Sequence, residues 1–146
     1  IKEEDNNNKE EEICNLNNIK LSVLMEISHN IKNLENKFSN HNLNCIKVGK
    51  ISKKSDKNIS WEERYFGLSK TKLYYWYKED ELISNKMPLG YIELKHLYQV
   101  EILQDLHFGN KKNLFQIYVA QWYKKDLLQG PRNYILSCDD RETLYN

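Results

Sequence analysis

The sequence predicts a mainly β protein, a small antiparallel barrel or sandwich that follows an amphipathic helix and closes with a second helix. Three observations carry this expectation. Residues 1–44 are rich in asparagine and hold Phe38 as their one Phe, Trp or Tyr, whereas the remainder holds all three tryptophans and all ten tyrosines, residues that fill a β-rich core. After Cys45 the apolar side chains recur with period two, the repeat of a strand with two unlike faces. The runs are short and numerous, with polar or Gly/Pro-bearing turns between them, as in a closed all-β architecture.

Taken in order, residues 1–11 are acidic and nearly free of apolar side chains, so burial cannot offset the cost of ordering them and a disordered linker is expected. Residues 12–40 form the predicted amphipathic helix, because Leu24, Ile27, Ile31, Leu34 and Phe38 recur at alternating spacings of three and four. That stripe suits docking on the following domain or pairing with another chain. Upstream, Asn17 and Lys20 interrupt its register, which argues against a long coiled coil. Turn formers between Asn40 and Asn44 end the helix. The domain proper spans residues 45–146, with strands expected at 46–54, 61–69, 72–79, 89–94, 97–103, 113–121 and 132–138. Asp139, Asp140 and Glu142 then gather carboxylates where the dipole of a closing helix favours them.

Charge and composition narrow the function. The whole chain is +1, but the first twelve residues carry −4, which leaves the folded part at +5. That mild excess suits an anionic surface and falls short of the dense basic stripe that nucleic acid demands, so no nucleic-acid partner is expected. Cys14, Cys45 and Cys138 are odd in number and far apart, which points to free thiols in a reducing compartment. No window has the apolar length of a membrane-spanning helix. No nucleophile with its base, phosphate loop or metal-ligand spacing occurs around the isolated glycines or the four histidines, so neither catalysis, a cofactor nor a metal is expected.

Three pieces, in order and spacing, resemble the pattern of the pleckstrin-homology (PH) domain family across roughly the last hundred residues. The first is Gly49-Lys50-Ile51-Ser52-Lys53, a lysine-rich loop, then Trp61-Glu62-Glu63-Arg64-Tyr65-Phe66-Gly67-Leu68. The second is Leu73-Tyr74-Tyr75-Trp76-Tyr77 followed by Gly90-Tyr91-Ile92-Glu93-Leu94, and the third is Phe115-Gln116-Ile117 with Tyr134-Ile135-Leu136-Ser137-Cys138-Asp139-Asp140-Arg141-Glu142. The resemblance implies a seven-stranded, strongly bent antiparallel barrel, open at one end and plugged at the other by a C-terminal helix that continues beyond Asn146. The Asn- and Lys-rich wording and the preceding helix are also similar to acylated PH-domain proteins of apicomplexan parasites, which read phosphatidic acid on secretory organelles.

Strand parity points to a site at the open end. Ile51 and Lys53 share one face, as do Glu62, Arg64, Phe66 and Leu68, so Lys53 and Arg64 extend a core face outward, where they can hold a phosphate. Tyr75 shares parity with Leu73 and adds a hydroxyl. Phosphoinositide-selective members of the family carry a second base two residues before the position of Arg64, and here that position is Glu62. A carboxylate there partly neutralises Arg64, so Glu62 is expected to act on selectivity. Leu89 likewise stands where those members often place a base. Lys50, Lys54 and Lys57 in one loop, and Lys124 and Lys125 with Arg132 in another, add general attraction to an anionic bilayer. Ile59, Trp122 and Tyr123 are candidates for dipping into the interface. The expectation is a cytoplasmic, peripherally membrane-associated module that binds anionic phospholipid, with phosphatidic acid favoured over polyphosphoinositides. The alternative is a protein-interaction module that uses the barrel and the N-terminal helix.

Overall fold

The period-two runs form strands close to their expected limits. In the computed structural model, which describes residues 2–25, 43–55, 60–84, 86–103 and 114–138, these are β1 (Lys47–Lys54), β2 (Trp61–Leu68), β3 (Lys72–Trp76), β4 (Gly90–Glu93), β5 (Leu97–Ile102), β6 (Leu114–Val119) and β9 (Arg132–Ser137). Two short strands between them, β7 (Trp122–Lys124) and β8 (Leu127–Gln129), turn the expected basic loop into a hairpin. The sheet order is β5-β6-β9-β1-β2-β3-β4-β7-β8, and neighbours pair antiparallel. β6 and β7 are separated only by Ala120 and Gln121, yet they lie near opposite ends of that order. A sheet connected in this way must curl back on itself, which gives the bent PH-like barrel the sequence predicts.

Alternation then sorts the side chains. Ile51, Phe66, Leu68, Leu73, Tyr75, Ile92, Phe115, Ile117 and Leu136 point inward and form one buried cluster. On the outer face a smaller cluster of Val48, Trp76 and Leu82 packs under the short helix α2 (Glu79–Ile83), and the Trp76 indole donates to the Lys86 carbonyl at 2.9 Å.

Helix α1 runs from Lys2 to Met25, so the acidic stretch expected as a linker is helical here. Residues 26–42, with Ile27, Ile31, Leu34 and Phe38 of the predicted stripe, lie outside the described residues, as do Lys57, Ile59 and the expected closing helix at 139–146. The described part of α1 docks on the barrel. Leu21 and Met25, four residues apart on one face, are buried in the main core, and Cys14 and Leu24 pack beside them. Burying each of those two large side chains contributes about 2 kcal/mol. Asn17, the residue that interrupts the apolar register, is itself buried. Its side-chain amide donates to the Leu94 carbonyl at 3.0 Å and to the Leu97 carbonyl, at the 3₁₀ turn Leu94–His96. Asn18 adds a bond to the Ser69 carbonyl at 2.7 Å.

Candidate anion-binding site

The β1–β2 register sets Lys53 directly opposite Glu62 and Ile51 opposite Arg64. Lys53 and Arg64 are therefore diagonal neighbours on one face, one step outward from the buried Ile51 and Phe66. Glu62 lies between them: its Oε2 accepts from Arg64 Nη2 at 3.1 Å and stands 3.9 Å from Lys53 Nζ. Lys53 and Arg64 side chains retain only 13% and 16% of their exposure, against 39% for Glu62. The cations are thus held under a carboxylate that water and ligands reach more easily.

Below them lie two tyrosines, of which Tyr134 and its neighbour Arg132 stand outside the expected site. Lys53 Nζ is 5.8 Å from the Tyr134 ring centre and the Arg132 guanidinium 4.5 Å from it, both within cation–π range. Tyr75 is buried, and burial pushes its phenol upward; the charge of Arg132, the nearby Tyr134 hydroxyl and the charge of Arg64 pull it partly back. Tyr75 therefore remains a neutral hydroxyl beneath three bases. Gly90 makes this packing possible, because a Cβ there would meet the Tyr75 ring at 2.7 Å and the Tyr123 backbone oxygen at 2.6 Å. Arg132 was legible as a loop base and shares a strand face with Tyr134, but the approach of both to Lys53 depends on the β1–β9 pairing and has no local sequence signal.

Other expected residues lie elsewhere. Lys50 and Lys54 alternate to the opposite face of β1 from Lys53, and Lys50 pairs with Glu63 at 3.6 Å. Lys124 and Lys125 are exposed on the β7–β8 hairpin. The expectation that Trp122 dips into a membrane is corrected: its ring is in the core, edge-on to Tyr134 at 6.2 Å and covered by Arg132 at 5.0 Å. Tyr123 is half-buried and stacks on Tyr91 at 4.8 Å. A shallow groove of about 290 Å³ is lined by Glu63, Arg64, Tyr65, Tyr77, Lys78 and Glu79; its two carboxylates offset the charge of its two bases.

A family model for the PH domain matches residues 45–146. Among solved structures, the solution structure of the pleckstrin homology domain of human KIAA0053 protein is similar with a TM-score of 0.50 and 24% identity, covering 68% of this chain and 78% of that one. The crystal structure of the Slm1-PH domain in complex with inositol-4-phosphate has a TM-score of 0.47 and 17% identity, covering 72% of this chain and 90% of that one. No curated protein matches the chain, so the narrower likeness to acylated apicomplexan proteins has no support.

Proposed function

This chain belongs to the PH domain family, and from that premise we propose that it is a peripheral membrane module whose open-end bases bind the phosphate of an anionic phospholipid, phosphatidic acid in preference to polyphosphoinositides. PH domains are generally non-enzymatic; they commonly bind phosphoinositides or other lipids, or mediate protein interactions. Among the described residues no helix is long and apolar enough to cross a bilayer.

The observation that carries the preference is the position of Glu62 between Lys53 and Arg64. A ring bearing adjacent phosphates needs both cations at once and brings its charge against that carboxylate. A single small phosphate monoester can take one cation, with the Tyr75 and Arg132 environment behind it, and leave Glu62 on the other. Lys124, Lys125 and Lys54 add screened attraction of about 1 kcal/mol per residue close to the surface. In the test, charge reversal at Lys53→Glu or Arg64→Glu removes sedimentation with phosphatidic-acid vesicles while the melting transition persists; full binding by either folded variant rejects this site.

One observation favours a second reading as a protein-interaction module. Ile13, Leu16, Ile19 and Val23 stand exposed on the side of α1 away from the barrel, a placement that suits a partner helix. Concentration-dependent sedimentation velocity, run without lipid, separates this reading from the first.

A further inference from the structure

Helix α1 is apolar on two faces. Leu21, Leu24, Met25 and Cys14 pack into the barrel, and the Asn17 amide, bonded to the Leu94 and Leu97 carbonyls, fixes which way the helix is turned. Ile13, Leu16, Ile19 and Val23 lie on the other side, within about a third of the circumference at about 3.6 residues per turn, in a row roughly 15 Å long. They keep 42%, 53%, 61% and 62% of their surface. A face meant only for water does not gather large aliphatic side chains into one row. Acidic neighbours argue against a bilayer as its cover. Glu10, Glu11 and Glu12 are exposed at the head of the row, and the first twelve residues carry −4, a charge that an anionic surface repels.

We infer that this outer face pairs with the same face of a second copy of the chain, the two α1 helices running antiparallel. The inference rests on the protein-interaction reading and deepens it by naming the partner. Two observations select a second copy. The row is close to its own complement under a two-fold axis: turned end for end, Ile13 meets Val23 of the partner subunit and Leu16 meets the partner's Ile19, each to within about one residue rise of 1.5 Å. Charge then sets the direction. A parallel pair would align two segments of −4, whereas the antiparallel pair sends each past the end of the partner's helix, beside a molecule whose remaining residues carry +5. Partly exposed side chains in one short row fall below the roughly 800 Å² per partner of a standard interface. The pair is therefore weak and reversible, with dissociation in the micromolar range or above.

The test uses the full chain without lipid. Sedimentation equilibrium from micromolar to millimolar concentration shows the parent passing from monomer to dimer, and the L16K/I19K variant, with like charges set in the row, weakens that step about tenfold or more. Both positions are exposed, so this variant keeps the parent melting temperature. Oxidation of an equimolar mixture of L16C and I19C chains, each also carrying Cys14→Ser, gives the mixed disulfide that the antiparallel register sets up. Like-with-like disulfides alone mean a parallel pair and overturn the arrangement. A parent that stays monomeric throughout overturns the second copy, and the rate of maleimide labelling of the L16C chain then separates two cases. Rapid labelling leaves the face open to a different partner. Slow labelling means that the same chain covers it, and the protein-interaction reading falls as well.

Discussion

Replacing Glu62→Gln removes a charge and keeps the shape of the side chain, and its effect on lipid ranking follows from two distances. Glu62 Oε2 is 3.1 Å from Arg64 Nη2 and 3.9 Å from Lys53 Nζ. Coulomb attraction at an effective dielectric of about 20 is about 4 to 5 kcal/mol per pair at such separations. Water reaches the 39%-exposed carboxylate, and ion pairs with that access retain only about 1 kcal/mol each. A ligand that uses one cation then competes with one pair, and a ligand that uses both competes with two. The substitution should strengthen binding of phosphatidic acid about 5-fold and of a doubly phosphorylated inositide about 30-fold, moving selectivity by about 6-fold toward the inositide. Loss of both pairs lowers stability by about 1 to 2 kcal/mol. Sedimentation against two vesicle series that differ only in the anionic lipid measures the two factors, with a thermal melt as the folding control. If both lipids shift by the same factor, Glu62 contributes only diffuse charge and the competition argument is wrong.

Three further outcomes follow from the fold. Asn17→Ala leaves the Leu94 and Leu97 carbonyls without their donor and should cost about 1 to 3 kcal/mol in denaturant unfolding; no loss means α1 does not hold its docked position in solution. Gly90→Ala sets a methyl against the Tyr123 backbone oxygen and the Tyr75 ring, and should destabilise by about 1 to 3 kcal/mol and weaken phosphatidic-acid binding with it; a parent-like melting temperature contradicts the close approach. Burial pushes the Cys45 thiol from 9.0 up to about 12. A raised folded-state pKa contributes its full stability below about pH 9 and loses it as pH rises toward 12, so chemical denaturation across that range should show a steeper decline for the parent than for Cys45→Ala.

The strands were legible because aromatic and β-branched residues alternate with polar ones, and the same alternation placed Lys53, Glu62 and Arg64 on one face before any fold was known. Period two fixes the face but not the long-range neighbour. Arg132 and Tyr134 join the cluster through β1–β9 pairing, which sets Lys53 opposite Leu136 and which no local pattern encodes. The β7–β8 hairpin was missed because its two-residue turn is Lys125-Asp126 without the usual glycine, and its strands are three residues long. Trp122 next to two lysines has the composition of an interface residue, yet its position against Tyr134 makes it the hairpin's anchor. Asn17 breaks the apolar stripe in sequence but supports docking in three dimensions, since a buried amide meets two carbonyls at the 3₁₀ turn that an apolar side chain could not satisfy.

Sedimentation of the full chain with vesicles at physiological salt, first of phosphatidylcholine alone and then with phosphatidic acid added, tests the central claim most directly. The account predicts little binding to the neutral vesicles, clear binding once phosphatidic acid is present, and an affinity that declines as salt rises because lysines supply much of the attraction. Equal recovery with both vesicle types, or with neither, contradicts it.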